Sequence, residues 1–155
     1  MMLETGDIVC VPDQGYCFPE MLTPFCANDS LSKTLYEAES DDMNDFEYET
    51  IQQVAALDNV VWWHRIIDRR GFCLNGAINH FPDFVVYTRR GTIILIETKG
   101  DHLINDDTKH KLHLGRAWQH QLGAKYRYLM VFKSAELELD GALTLDKTLQ
   151  VVERV

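Results

Sequence analysis

The sequence predicts one α/β domain, a mixed β-sheet flanked by helices, and three observations lead to this class. Two segments, 44–57 and 105–122, carry apolar residues at helical spacing. Three others, 60–67, 81–100 and 126–132, are rich in β-branched and aromatic residues, as strands are. The resulting order of strand, helix and strand favours a mixed sheet with helices packed on it, and a length of 155 residues suits a single core.

The first 30 residues are predicted to be a lead-in, because three of the four prolines and two glycines fall there with few periodic apolar positions. We expect turns in this part, with at most one short strand. The domain itself is then expected to occupy residues 31–155.

The first helix is predicted at 44–57, with Asn44 as its N-cap. Its predicted buried face contains Phe46, Thr50, Val54 and Leu57. The next segment, 60–67 (VVWWHRII), is predicted to be a strand, and the glycines that bound 71–76 indicate a turn.

Residues 81–100, FPDFVVYTRRGTIILIETKG, contain two apolar runs that flank a hairpin loop ending at Gly91. A three-residue hairpin loop usually ends in a residue with positive φ, which suits glycine. This loop predicts a register in which the numbers of paired residues sum to 180, so Asp83 lies opposite Glu97. Facing residues are close neighbours and residues two apart share a face, so Asp83, Glu97 and Lys99 are expected to converge.

The second helix is predicted at 105–122, where Asn105 and two aspartates begin it and Gly123 ends it. One stripe of this helix contains Leu114, Ala117, Trp118, Gln121 and Leu122. Residues 126–132 (YRYLMVF) are predicted to form a buried strand, and the Asp-Gly pair at 140–141 a turn before a short final element.

The net charge of −9 by itself argues against DNA binding, but the charges are unevenly distributed. Residues 1–60, 61–133 and 134–155 carry −12, +6 and −3, so the positive part of the chain holds the candidate catalytic residues. The alternative is that these lysines and arginines only cover solvated surfaces.

Composition also bears on where the protein works. No apolar run approaches the roughly 18 residues needed to span a bilayer, so membrane insertion is not expected. Residues 1–10 carry two acidic side chains where a secretory signal has lysines or arginines, which predicts a cytoplasmic protein. The four cysteines show no CxxC spacing, so we interpret them as reduced, unpaired thiols rather than as a zinc site.

Two carboxylates held side by side on a sheet repel each other and lose solvation, so a fold tolerates them poorly unless a cation lies between them. Such hard oxygens suit Mg²⁺ or Mn²⁺, and Mg²⁺ commonly uses one or two carboxylates and keeps several waters. The ion lowers the pKa of a bound water and polarises a phosphate oxygen. Lys99 could orient the attacking water or offset the charge of a pentavalent phosphorane, so the pattern suits phosphodiester hydrolysis.

Pro82 and Asp83, followed after thirteen residues by Glu97, Thr98 and Lys99, resemble the signature of the PD-(D/E)XK nuclease superfamily. The resemblance implies a restriction-endonuclease-like fold and a Mg²⁺-dependent DNA endonuclease, with Mn²⁺ as a substitute ion. It further implies that Asp83 and Glu97 bind the metal, that the Thr98 backbone carbonyl completes the site, and that Lys99 is the catalytic lysine.

A narrower resemblance extends over residues 31–132, through SLSKTLYEAESDDMNDFE, WWHR, HFPDF and LIETKG. These segments are similar to the C-terminal endonuclease domain of the restriction subunit of type III restriction enzymes. This resemblance implies DNA as substrate, with an ATP-driven motor region and a DNA-recognising methyltransferase subunit as partners. No GxxxxGK(S/T) phosphate loop occurs in the sequence, so the chain is expected to be either an excised domain or a stand-alone relative.

Four further residues are candidates for the site. Glu47 is a candidate metal ligand, because superfamily members often supply an acidic residue from the first core helix. The alternative is that Glu47 and Asn44, three residues earlier, form a capping box. Arg65, Lys111 and Arg116 are candidate contacts to DNA phosphates, with a solvated surface position as the alternative for each.

Two other functions stay open. The same fold could serve as a catalytically silent module for nucleic-acid binding or protein docking, although all motif positions are filled. The same chemistry could also serve a nuclease of DNA repair or recombination, which only a comparison of substrates separates from restriction.

Overall fold

A mixed β-sheet runs through the centre of the chain in the computed structural model, which describes residues 16–24, 26–28, 30–76, 78–135 and 137–155. The elements in chain order are β1 (Ala27–Asn28), β2 (Glu39–Ser40), α1 (Asp45–Ala56), β3 (Val60–Arg65), β4 (Leu74–Asn75), β5 (Asn79–His80), β6 (Phe84–Thr88), β7 (Ile93–Lys99), α2 (Asp106–Leu122), β8 (Tyr126–Phe132), β9 (Ala142–Thr144) and α3 (Leu145–Arg154). The first half of the predicted lead-in lies outside the described residues.

The central sheet has the strand order β3-β6-β7-β8-β9. β3, β6 and β7 are antiparallel neighbours, whereas β7, β8 and β9 run parallel. Two short ribbons, β1 with β2 and β4 with β5, lie outside it. The predicted α/β class, a mixed sheet flanked by helices, is confirmed. Among the described residues no helix is both long and apolar enough to cross a bilayer.

Side chains alternate between the two faces of the sheet along each strand, so each face carries apolar side chains, and helices cover both faces. One face packs against α1 and α3, with a core that includes Ile51, Phe84, Ile96, Leu129 and Val152. The other face packs against α2, with a core that includes Val85, Leu95, Trp118, Tyr128 and Met130. The strands are therefore apolar on both sides until they reach their polar ends.

The hairpin of β6 and β7 has the predicted register. Its ladder pairs Phe84 with Ile96 and Tyr87 with Ile93, so the numbers of paired residues sum to 180. The Thr88 N–H donates to the Thr92 carbonyl at 3.0 Å, and Gly91 adopts φ of +76°, which a residue without a Cβ adopts without strain.

The predicted helices form with small shifts in their buried faces. Thr50 and Val54 are buried in α1 as predicted, and so is Ile51, which was not assigned to that face. In α2 the predicted Gln121 is exposed, while Leu112 is buried. The buried stripe of α2 is therefore shifted toward Thr108, Leu112 and Gly115, which are buried with Leu114 and Trp118 inside the domain.

The segment before α1 covers the outer edge of the sheet. The Leu35 N–H donates to the Trp63 carbonyl, and the Trp63 N–H donates to the Lys33 carbonyl, at 2.8 and 2.9 Å. The ring of Phe18, from the predicted lead-in, contacts the rings of Trp62 and His64 edge-on. This part of the lead-in is therefore packed on the domain.

Candidate active site

The candidate site lies where β6 begins and β7 ends. Pro82 has no N–H to donate to a strand ladder, so β6 begins after it and Asp83 stands at the strand entrance. Because Phe84 pairs with Ile96, Asp83 occupies the position opposite Glu97. The predicted juxtaposition of these two carboxylates follows from the confirmed register.

Asp83 is held by three donors. Its Oδ2 accepts hydrogen bonds from the Thr98 N–H at 2.6 Å and from the Thr98 hydroxyl at 2.8 Å. Its Oδ1 accepts one from Arg65 Nη1 at 3.0 Å. These bonds fix the orientation of the carboxylate and offset its repulsion from neighbouring acids.

Glu97 is the most deeply buried acid of the predicted set, with a side chain only 5% exposed. Its Oε1 accepts from Lys99 Nζ at 2.7 Å, and Lys111 Nζ lies 3.8 Å from the same oxygen. Its Oε2 is buried and has no hydrogen-bond partner among the described residues. Burial first, and the charge of Asp83 second, raise the pKa of Glu97 to about 8 against the pull of the two lysines. An ionised Glu97 therefore calls for more positive charge than its lysines supply.

Lys99 is a cation rather than a base at this site. Burial lowers the pKa of its ammonium, but Glu97 and Asp83 outweigh that effect, so the pKa is raised. A protonated lysine has three donors and no acceptor. It can direct an attacking water or neutralise a phosphate, whereas it cannot take a proton from the water.

Glu47 caps α1 and also belongs to the site. Asn44 accepts from the Phe46 and Glu47 N–H groups, and Glu47 Oε2 accepts from the Asn44 N–H at 2.9 Å, which completes the capping box. The same Oε2 accepts from Arg65 Nη2 at 3.1 Å. Burial, followed by the charge of Asp83, raises the pKa of Glu47. The predicted cap is thus present, and Glu47 lies within the electrostatic field of Asp83.

The three predicted DNA contacts lie in different surroundings. Arg65 forms ion pairs with Asp83 and Glu47, so a contact to a DNA phosphate would require one of these ion pairs to break. Lys111 stands beside Glu97 at the mouth of the site, also 3.4 Å from Asp107. Arg116 donates to Gln119 at 2.9 Å and to Asp140, which ties α2 to the turn before β9.

A buried pair that the sequence analysis did not assign lies in the field of the two lysines. His80 Nε2 and the Tyr128 hydroxyl are 2.8 Å apart, and both side chains are buried. Burial, then the charges of Lys111 and Lys99, lower the pKa of His80 to about 3. The imidazole is therefore neutral. A lone histidine before the motif gave no signal in the sequence that could have assigned it this partner.

A second unassigned pair supports the end of β3. Glu39 Oε2 lies 2.8 Å from His64 Nδ1 and accepts from the Arg65 N–H at 3.1 Å, with both acid and imidazole buried. The acid comes from a polar stretch that resembles a solvated loop, so sequence alone did not reveal it. Its position fixes the backbone that presents Arg65 to the site.

The side chains present fit a divalent ion that keeps some of its water. No three His, Cys, Asp or Glu side chains form a metal cage in the part of the chain that the structure describes. Asp83 and the unpartnered oxygen of Glu97 supply two hard oxygen ligands, and Mg²⁺ is commonly bound by one or two carboxylates while it keeps several waters. No family model, curated protein or solved structure with which the chain was compared matches it.

Proposed function

We propose that the chain is a Mg²⁺-dependent endonuclease domain that hydrolyses DNA phosphodiester bonds, as the cleavage module of a type III restriction enzyme. The observation that supports this most is Glu97, a buried carboxylate with one oxygen bound to Lys99 and the other without a hydrogen-bond partner among the described residues. A buried polar group left unsatisfied costs ~1–3 kcal/mol, which a cation between Glu97 and Asp83 would recover.

The residues of the site have separate tasks in this proposal. Asp83 and Glu97 would hold the ion, with the Thr98 carbonyl as a further ligand, and the Thr98 N–H and hydroxyl fix Asp83. When bound, Mg²⁺ supplies an acidified water and a polarised phosphate oxygen. Lys99 donates to the attacking water or to the phosphate, because its ammonium is protonated. Lys111 offers a second positive charge to the DNA backbone at the mouth of the site.

The wider assignment depends on the resemblance over residues 31–132. We propose DNA as the substrate, an ATP-driven motor region and a methyltransferase subunit as partners, and the cytoplasm as the location. The isolated domain is then expected to cut slowly and without sequence preference, because translocation and base recognition reside in those partners.

A silent DNA-binding module is the second candidate, and one observation favours it. Each of the three acids already forms an ion pair with a cationic side chain. Arg65 pairs with Glu47 and Asp83. Lys99 and Lys111 pair with Glu97. A site balanced in this way can persist without metal. A cleavage assay distinguishes the nuclease from the silent DNA-binding module.

The test is nicking of supercoiled plasmid by the purified chain with Mg²⁺, with Mn²⁺ or with chelator. We expect metal-dependent nicking that falls by on the order of 100-fold or more in Asp83→Asn, Glu97→Gln and Lys99→Ala, because each loses a ligand or a charge used in the transition state. Glu49→Gln and Lys109→Ala are matched controls, since both side chains are exposed to solvent outside the site, and should cut like wild type.

Full activity in any of the three site variants would remove that residue from the mechanism. Nicking that persists in chelator would exclude a divalent metal ion from the mechanism. Salt-sensitive DNA binding without any nicking would instead establish the silent module.

A further inference from the structure

Arg65 has every side-chain donor directed to a protein oxygen. Nε and Nη2 donate to the Asp42 carbonyl at 3.2 and 2.8 Å, and Nη2 also donates to Glu47 Oε2 at 3.1 Å. Nη1 donates to the carbonyl of Asp83 at 3.3 Å and to its Oδ1 at 3.0 Å. A guanidinium has five N–H groups, so these five bonds use all of them.

Packing holds this guanidinium in place. Its side chain is 12% exposed, and its central carbon lies 5.2 Å from the ring centroid of Phe84, within the range of a cation–π contact. The backbone of Arg65 is anchored separately by the buried carboxylate of Glu39. A side chain fixed by five hydrogen bonds, a ring and a buried acid is part of the site's framework.

The guanidinium lies between two carboxylates that would otherwise repel each other. Its two terminal nitrogens reach Glu47 on one side and Asp83 on the other, which is where a second divalent ion would have to bind to use both acids. Asp83 Oδ2 accepts two hydrogen bonds from Thr98, whereas its Oδ1 accepts only the one from Arg65. Glu97 Oε2 has no hydrogen-bond partner within the described ranges. A new cation could therefore gain an unpartnered oxygen at Glu97, whereas Arg65 already occupies the position between Glu47 and Asp83.

We propose that Arg65 is a resident cation between Glu47 and Asp83 and that it limits the site to one divalent ion, held by Asp83 and Glu97. The ion itself rests on the proposed function; the number of ions and the residue that sets it are additional. Arg65 acts as a positioning residue, because it fixes Asp83 and keeps Glu47 away from the ion. Glu47 then serves as a cap and as an anchor for Arg65 rather than as a ligand.

The test counts bound ions with Mn²⁺ alone, by the loss of the free-ion paramagnetic resonance signal on titration with the full chain. Wild type should bind one Mn²⁺. Arg65→Met should bind a second, because two acids then face each other without a cation, and Arg65→Met combined with Glu47→Gln should return to one. Arg65→Lys, which keeps the charge, should also bind one. Circular dichroism checks that each variant is folded.

The single variant Glu47→Gln tests whether Glu47 is a metal ligand even if Arg65→Met does not fold. Its number of bound ions and its Mn²⁺ affinity should equal those of wild type, since Glu47 is not a ligand. A tenfold weaker affinity in Glu47→Gln, or two ions bound to wild type, would overturn the proposal.

The plasmid assay separates this inference from the proposed function. Two bound ions with metal-dependent nicking would overturn the single-ion limit and would leave the proposed nuclease function unaffected. A wild-type chain that neither binds Mn²⁺ nor nicks DNA would overturn both. One bound ion, with a second in Arg65→Met, supports the role of Arg65 whatever the rate of cleavage.

Discussion

Lys99 and Lys111 lower the pKa of both Glu97 and His80, but the net shifts of the two groups have opposite signs because burial acts oppositely on an acid and an imidazole. Burial and Asp83 raise the pKa of Glu97 to about 8, because a buried negative charge needs more compensation than the lysines give. Burial and the lysines act in the same direction on His80 and lower its pKa to about 3. The imidazole is therefore a neutral partner of the Tyr128 hydroxyl and cannot supply a positive charge to DNA.

His80 is expected to lower the stability of the folded chain in mild acid, against the opposite contribution of Glu97, whose raised pKa favours the folded state as the pH falls. The pKa is about 6.5 in the unfolded chain and about 3 in the folded one, so in that window the unfolded state binds a proton that the folded state excludes. The stability that the neutral His80 contributes above pH 6.5 is lost as the pH falls, by up to about 2 kcal/mol at pH 5, and this contribution is read as the difference between wild type and a variant without the imidazole. Urea unfolding in chelator, at about pH 7.5 and about pH 5, measures the loss.

His80→Gln should remove this contribution, because an amide keeps a hydrogen-bonding group beside Tyr128 without titrating, so its stability relative to wild type should be higher at about pH 5 than at about pH 7.5. His113→Gln is the control, since His113 is exposed, and should behave like wild type. A stability difference between wild type and His80→Gln that is the same at both pH values would mean that His80 does not contribute to the pH dependence.

The elements of this fold differ in how far the local sequence determines their structure. The hairpin register was predictable because it depends on a short loop whose last residue, Gly91, adopts the required positive φ. The cap of α1 was predictable for the same reason, since Asn44 and Glu47 satisfy donors within one turn. The bridge from Arg65 to Glu47 was not predictable, because it requires α1 to pack beside β3, and no local pattern encodes that distance.

The contact between α2 and β8 places the ring of Tyr128 against a helix position without a side chain. A Cβ built on Gly115 would lie 2.3 Å from ring atoms of Tyr128, far inside van der Waals contact. Glycine is unfavourable in a helix interior by about 1 kcal/mol relative to alanine. Its presence is explained by this close approach, which also places the Tyr128 hydroxyl at His80.

Gly115→Ala is accordingly expected to destabilise the chain despite the better helix propensity of alanine. Overpacking of this kind costs about 1–3 kcal/mol, which exceeds the gain in propensity in most of that range. Urea unfolding measures the change, with His113→Ala as a control on the exposed face of α2, expected within about 0.5 kcal/mol of wild type. A Gly115→Ala chain at least as stable as wild type would show that α2 does not approach β8 so closely.

Across the whole molecule, the positive segment 61–133 does not form one continuous surface. Arg89 and Arg90 lie at the hairpin turn, while Lys99 lies at the other end of β7, and seven residues of strand separate the two ends by roughly 20 Å. Arg65 and Arg116 are occupied by protein acceptors. The charge of +6 read from the sequence therefore overstates the positive charge that the candidate site presents.

DNA binding by the isolated chain is expected to be weak and to depend on few phosphate contacts. The logarithm of the binding constant falls with the logarithm of salt concentration by about 0.9 for each phosphate neutralised, so the slope counts the contacts. Lys111→Ala should lower this slope by about one, because its ion pairs, 3.8 Å to Glu97 and 3.4 Å to Asp107, are longer than the hydrogen bonds that hold Arg116 and leave its ammonium available to a phosphate. Arg116→Ala should leave the slope unchanged, because Gln119 and Asp140 already accept from its guanidinium.

Fluorescence anisotropy with a labelled duplex, in chelator to prevent cleavage, gives the slope for wild type and both variants over a series of salt concentrations. Chelator removes the divalent ion but leaves Lys111 in place, so the comparison isolates the contribution of the side chain. An equal fall in slope for Lys111→Ala and Arg116→Ala would place the DNA along α2 as a whole. A fall in Arg116→Ala alone would move the DNA to the turn before β9, away from the carboxylates, and a nuclease site at Asp83 and Glu97 could not then act on the bound strand.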